Sequence, residues 1–75
     1  MLNALALLVR SLVRNPDAVR IEPHDEGRRL LLIVNVAPED VGRVVGRNGR
    51  IAKAMRTLMR VVGEREGRQV VVEVK

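Results

Sequence analysis

The sequence predicts a small α+β domain with the element order α-β-β-α-α-β, in which three helices cover one face of a three-stranded mixed sheet. Two observations lead to this prediction. Apolar residues recur at helical spacing at the N-terminus and after residue 50, and short runs rich in β-branched residues occur in three other places. The chain has 75 residues, with no linker, repeat or low-complexity tract, so we expect residues 1–75 to form one domain with one modest core.

The first helix is predicted from Leu2 to Arg14, and Asn15-Pro16 ends it because proline cannot continue a helix. One face of this helix carries Leu5, Leu8, Val9 and Leu12. The polar residues of this helix form only a narrow arc, which consists of Asn3, Arg10, Ser11 and Arg14. Leu7 falls within this arc, so the apolar surface is wider than a core stripe needs. The helix is therefore either well buried on most sides or presents a surface to a partner.

Three strands are predicted. Residues 19–23 alternate between apolar and polar, and Pro23 favours an edge position because it lacks an N–H. Asp25-Glu26-Gly27 has turn composition, and the following run, Arg29 to Val36, is apolar on both faces. This second strand is therefore expected at the centre of the sheet, with Val70 to Val74 as the third strand.

A pair of helices separates the last two strands. Pro38 fits the first helical position, and Glu39 and Asp40 lie in the first turn, where the helix dipole favours anions. We expect this short helix to end at Gly46.

The second helix of the pair is predicted from about Arg50 to Val62, with Gly63 and Gly67 bracketing its exit loop. Its apolar face is expected to be core and consists of Ile51, Ala54, Met55, Leu58 and Val62. Its opposite face is basic and consists of Lys53, Arg56 and Arg60, with Arg50 at the edge.

The charge is unevenly distributed. The net charge is +5, but residues 1–40 carry a net charge of −1 and residues 41–75 a net charge of +6. A basic half on a small domain is typical of proteins that bind a polyanion. The alternative is a solvated basic face without a ligand.

Composition excludes several classes of function. The chain has no aromatic residue, so bases cannot be held by stacking on Phe or Tyr. It has no cysteine, no phosphate-binding Walker loop and no cluster of metal ligands, and its single histidine, His24, lies beside the hairpin turn. We therefore expect no catalytic residue, no metal and no cofactor.

The tetrapeptide Gly46-Arg47-Asn48-Gly49 is the strongest functional signal. Two glycines let the chain turn sharply and approach another backbone closely, and the start of a helix offers main-chain N–H groups to an anion. The surrounding segment, residues 43–60, contains six basic residues and no acid. Arg47 can bind phosphate oxygens and Asn48 can donate hydrogen bonds, with Arg50 and Lys53 one turn away. This combination indicates a phosphate site in a nucleic-acid-binding protein.

The sequence also resembles a known family. Val44-Val45-Gly46-Arg47-Asn48-Gly49 is similar to the hydrophobic-Ile-Gly-x-x-Gly signature of KH domains, and the element order is that of the type II KH arrangement. Residues 12–19, 36–40 and 66–73 resemble the small bacterial KhpA family of single-KH RNA-binding proteins. The resemblance extends over essentially the whole chain.

This resemblance implies a site and partners. The loop would clamp single-stranded RNA, or single-stranded DNA, with Arg47 and Asn48 facing its backbone and amides near Gly46 and Gly49 in support. Val45 would help to form the floor of an apolar groove, and the strand would be flanked by Arg43, Arg50 and Lys53. The family also implies a homodimer, or a heterodimer with a KhpB-like KH protein. The apolar N-terminus is too short to span a bilayer and has no small-residue cleavage site, so we expect a cytoplasmic protein that binds no membrane and no small-molecule substrate.

Two other functions remain open. A helix-turn-helix DNA binder would use Arg50 to Val62 as its recognition helix, although strands rather than a third packed helix flank this pair. An assembly or adaptor protein would use the basic face against an acidic partner, with little intrinsic affinity for RNA. Binding to free oligonucleotides distinguishes these functions.

The expected RNA-binding role is in post-transcriptional regulation or as an RNA chaperone.

Overall fold

The computed structural model describes residues 2–75, and it confirms the predicted order of elements. The helices are α1 (Leu2–Leu12), α2 (Val41–Val45) and α3 (Arg50–Arg65), and the strands are β1 (Arg20–Glu26), β2 (Arg29–Asn35) and β3 (Gln69–Val74). Short 3₁₀ turns at Pro16–Ala18, Pro38–Asp40 and Arg47–Gly49 precede β1, α2 and α3, respectively. The fold is the α+β arrangement of a type II KH domain.

The sheet is mixed, with β2 in the centre. Strand β1 pairs with β2 in the antiparallel direction and β3 pairs with β2 in the parallel direction. The edge position that Pro23 predicted for β1 is confirmed, as is the central position of β2. Among residues 2–75, strand β3 pairs only with β2, so its other edge carries no neighbouring strand.

The core lies between the sheet and the helices. Strands β2 and β3 contribute Leu32, Val34 and Val72. The helices contribute Leu5, Val9, Val44, Met55 and Met59. Each of these side chains is at most 3% exposed, so each contributes about 1.5–3 kcal/mol through the hydrophobic effect.

The predicted end of α3 at Val62 is wrong, because the helix continues through Gly63 to Arg65. Gly63 is buried against β3, and a Cβ atom at this position would lie 2.4 Å from Val70 Cγ2 and 2.7 Å from the main-chain oxygen of Arg68. The glycine therefore marks a close contact between helix and strand rather than a helix end.

Asp40 has a structural role that the helix dipole alone did not predict. Its side chain is fully buried, and its carboxylate accepts hydrogen bonds from the main-chain N–H groups of Arg14 and Asn15 at 3.1 and 3.0 Å. The Asn15 side-chain amide donates a further bond at 3.0 Å. These bonds hold the segment that follows α1, which ends at Leu12 rather than at the predicted Arg14.

The environment of Asp40 also sets its acidity. Burial by itself raises the pKa of this carboxyl. The hydrogen bonds from Asn15 and Arg14 and the charge of Arg43 lower the pKa by more than burial raises it, so the net pKa lies below its ordinary value of 3.8. Asp40 therefore remains ionised in the folded protein at neutral pH.

The apolar face of α3 is only partly core. Met55 is buried, but Leu58 is 54% exposed and Ala54 is also exposed, so the prediction that these two residues belong to the core is wrong. Leu8 on α1 is 37% exposed and lies near them. Leu8 and Leu58 line an apolar groove of about 390 Å³ between α1 and α3, together with Ala4, Leu5, Met55, Met59 and Val62.

Candidate nucleic-acid interface

The loop between α2 and α3 has an unusual backbone at three of its four positions. Gly46, Asn48 and Gly49 have positive φ angles of 78°, 55° and 71°. Asn48 is the only described residue other than glycine with a positive φ. Asparagine tolerates this left-handed conformation better than most residues do. The sequence suggested Asn48 as a hydrogen-bond donor, but its conformational role was missed.

The two glycines are required for different reasons. Gly46 has φ 78° and ψ 174°, a region open essentially only to glycine. A Cβ atom there would lie 2.7 Å from Ile51 Cγ1 and 3.1 Å from Ile51 Cβ. Gly49 has φ 71° and ψ 18° with no atom within 4 Å of a Cβ position. Gly49 therefore supplies the turn, whereas Gly46 also lets Ile51 pack beneath the loop.

Only some of the loop amides are available to a ligand. The N–H of Gly49 donates to the Gly46 carbonyl at 3.2 Å, and the N–H of Arg50 donates to the Arg47 carbonyl. The N–H groups of Arg47 and Asn48 have no hydrogen-bond partner among residues 2–75. The free donors of this loop thus lie at its two central positions, between Gly46 and Gly49.

Cations surround these free amides. Arg47, Arg50 and Lys53 are exposed and form no salt bridge within residues 2–75. Arg43 differs, because its Nε lies 3.5 Å from Asp40 Oδ1 and its charge is partly compensated there. The structure therefore brings Arg47, Arg50 and Lys53 together around the loop and leaves Arg43 less available.

The two valines before the loop have different environments. Val44 is fully buried in the core, whereas Val45 is partly exposed next to Gly46. Val45 is thus accessible to a ligand, and its place in the floor of a groove stays a prediction.

The basic face of α3 extends the positive surface away from the loop. Lys53, Arg56 and Arg60, which we call the basic stripe, are exposed along this helix. Arg56 is bound to the sheet, since its Nε donates a 3.1 Å hydrogen bond to the carbonyl oxygen of Val72 at the free edge of β3. The sequence placed Arg56 on the basic face, but this contact with β3 could be found only from the tertiary structure.

The chain was compared with known proteins. The family model described as "KhpA/KhpB, KH domain" matches residues 3–74. RNA-binding protein KhpA of Leifsonia xyli subsp. xyli is 46% identical over 71 residues, which cover 95% of this chain and 91% of that protein. RNA-binding protein KhpA of Streptomyces coelicolor is 44% identical over 71 residues, with 95% and 90% covered. RNA-binding protein KhpA of Caldanaerobacter subterraneus subsp. tengcongensis is 40% identical over 67 residues, with 89% of each chain covered.

No solved structure matches the chain significantly. Among the helices of residues 2–75, none combines the length and the hydropathy that crossing a bilayer requires.

The family match and the relatives, together with the α-β-β-α-α-β fold and its Gly-x-x-Gly loop, show that the chain belongs to the KhpA/KhpB family of KH-domain proteins.

Proposed function

We propose that this protein is a single KH domain that binds single-stranded RNA at the loop Gly46–Gly49. One observation supports the site above the others. Within residues 2–75, the main-chain N–H groups of Arg47 and Asn48 have no partner, and the neighbouring cations Arg47, Arg50 and Lys53 form no salt bridge. The names of the relatives, which describe RNA-binding proteins, support RNA as the ligand.

In the proposed mechanism, the backbone and the bases of the RNA strand contact different parts of the site. Phosphates accept hydrogen bonds from the amides of Arg47 and Asn48, and they pair with Arg47, Arg50 and Lys53. The glycines let the sugar-phosphate backbone approach without a Cβ in the way. Bases then lie towards Val45, and their edges rather than aromatic stacking provide recognition, because the chain has no aromatic residue.

Fluorescence anisotropy tests this proposal. Labelled single-stranded RNA, single-stranded DNA and duplex DNA are titrated with the native protein and with Arg47→Asp/Asn48→Asp. We expect single strands to bind, and the double variant to lose this binding while circular dichroism shows that it is folded. Preference for duplex DNA would favour the helix-turn-helix function instead. Absence of binding to all three would contradict the proposal and favour an adaptor role.

The salt dependence provides a second readout. If Arg47, Arg50 and Lys53 neutralise about three phosphates, the slope of log affinity against log salt is about −2, since each phosphate on a single strand contributes about −0.7. A slope near zero would mean that phosphate contacts do not hold the strand.

The proposed partner is a second KH protein, either another copy of this chain or a KhpB-like protein. The apolar groove between α1 and α3 supports this part of the proposal, since Leu58 is 54% exposed and Val61, beside it on the same helix, is 45% exposed. The name of the matched family, which joins KhpA with KhpB, is also consistent with it. Two linked KH sites would raise the effective affinity for one RNA strand without any new contact. The proposed place of action of the protein is the cytoplasm.

Analytical ultracentrifugation tests self-association. Leu58→Glu places a charge at the mouth of the groove and is expected to give a monomer. Leu7→Glu is the matched control, because Leu7 is 68% exposed on α1 and does not line the groove. Dissociation by Leu7→Glu alone would place the interface on the outer face of α1, and a native protein that is monomeric at all concentrations would exclude the homodimer.

A further inference from the structure

We infer that Arg56 reads the edge of a base and gives this protein a preference for cytosine and guanine over adenine and uracil. This inference rests on the proposed RNA-binding function and adds a specificity-determining residue to it. Arg56 differs from the other members of the basic stripe in one respect. Its guanidinium is bonded to the main chain of the sheet, whereas the side chains of Lys53 and Arg60 form no hydrogen bond within residues 2–75.

The position of Arg56 follows from α3 and β3. It lies seven residues after Gly49 on a helix that rises 1.5 Å per residue, so it is about 10 Å from the loop along the helix axis. Its Nε donates to Val72 O, which lies on the edge of β3 that no other strand of residues 2–75 pairs with. A strand whose phosphates are held at the loop can therefore turn its bases towards the space between α3 and β3, where Arg56 lies.

The hydrogen bond to Val72 fixes what Arg56 can offer. A guanidinium has five N–H donors in a planar fork, and the bond from Nε uses one of them and limits rotation of the plane. The four terminal N–H groups of Arg56 have no partner among residues 2–75. They present two parallel donors to solvent, while the side chain as a whole is exposed.

A pair of parallel donors selects bases by their acceptor pattern. Guanine presents O6 and N7 side by side, and arginine binds them in a bidentate manner. Cytosine presents O2 and N3 side by side on its Watson–Crick edge. Adenine and uracil place an N–H donor beside an acceptor on the corresponding edges, so one N–H of the fork would meet another donor. The fork therefore favours cytosine and guanine.

The experiment measures base preference rather than affinity alone. The 8-mers r(C)8, r(A)8, r(U)8 and r(GU)4 are titrated by anisotropy at one salt concentration, r(GU)4 being used because G-only RNA forms quadruplexes. We expect the native protein to prefer r(C)8 and r(GU)4 over r(A)8 and r(U)8 by about tenfold, within the range of a good bidentate contact. Arg56→Ala is expected to remove this preference.

Two further variants separate base reading from charge. Arg56→Lys keeps the charge but has no fork, so we expect it to lose the preference while it retains the native salt slope. Arg60→Ala removes a charge one turn further along the basic stripe and is expected to weaken all four RNAs equally. A thermal melt of each variant verifies that it is folded.

The outcomes distinguish this inference from the proposed function. Equal weakening of all four RNAs by Arg56→Ala would show a phosphate contact and overturn the inference, and so would a native protein that binds all four alike. Both results would leave RNA binding intact. Absence of binding to every RNA by the native protein at low salt would overturn the proposed function and this inference together.

Discussion

Helix propensity alone predicts that Gly63→Ala stabilises the protein, whereas the contact between Gly63 and β3 predicts that this substitution destabilises it. In an unconstrained helix interior, Gly→Ala stabilises by about 1 kcal/mol. At position 63, however, the added Cβ would lie 2.4 Å from Val70 Cγ2 and 2.7 Å from Arg68 O. The main-chain oxygen cannot rotate away, and Arg68 N also donates a 2.8 Å hydrogen bond to the Gly63 carbonyl. Relief of this overlap therefore requires α3 to move away from β3.

The expected magnitude follows from these two opposing effects. Overpacking of a tight core contact costs about 1–3 kcal/mol, and the two close contacts place Gly63→Ala near the upper end of that range. After the gain in propensity, we expect a net loss of about 1–2 kcal/mol. For a domain of this size each kcal/mol changes Tm by about 4–8 °C, so Tm should fall by roughly 5–15 °C.

Thermal unfolding followed by circular dichroism measures this effect. Gly42→Ala is the matched control, because Gly42 lies in α2 with no atom within 4 Å of its Cβ position. This variant should leave Tm unchanged or raise it by a few degrees, since it gains up to about 1 kcal/mol of helix propensity. A Gly63→Ala variant that is as stable as Gly42→Ala, or more so, would refute the close packing of α3 on β3.

Two other predictions concern the loop and the buried carboxylate. Gly46→Ala should destabilise the protein more than Gly49→Ala in chemical denaturation, because both add strain at positive φ but only Gly46 also meets Ile51; equal losses would contradict the packing of Ile51 beneath the loop. Because the folded pKa of Asp40 is lowered below 3.8, its stabilising effect is complete above that pH and is lost as pH falls through the lower folded pKa. In urea denaturation between pH 2 and 5, Asp40→Asn should therefore show a smaller dependence of stability on pH than the native protein, and identical slopes would contradict the lowered pKa.

Local sequence patterns were sufficient to predict the order of the elements and the position of the loop. Helical spacing, the prolines at 16, 23 and 38 and the apolar run of β2 are all signals that lie within one element or at its border. Each of them reflects a steric or hydrogen-bonding restriction on a few consecutive residues, so it can be read without knowledge of the tertiary structure.

The features that could not be predicted depend on distant parts of the chain. Gly63 looked like a helix end, since only its contact with β3 explains a glycine inside α3. Asp40 looked like a helix-dipole residue, because its partners, Arg14 and Asn15, lie about 25 residues earlier. Leu58 looked like core, because an apolar face is buried only where another element covers it, and α1 leaves this part of α3 open.

The candidate site was predicted in outline but not in detail. The glycines and cations indicated the loop between α2 and α3. Which main-chain N–H groups of this loop remain free depends on the 3₁₀ turn at Arg47–Gly49. That turn uses the N–H groups of Gly49 and Arg50 and leaves those of Arg47 and Asn48 free.

NMR titration of the ¹⁵N-labelled protein with single-stranded RNA tests the proposed site most directly, because it observes these amides themselves. If phosphates bind at the loop, the amide signals of Arg47 and Asn48 should show the largest shifts, with smaller shifts along the start of α3. The same titration with the Arg47→Asp/Asn48→Asp variant should leave the spectrum unchanged. Large shifts confined to another surface, or none at the loop at saturating RNA, would contradict the proposal that Gly46–Gly49 holds the strand.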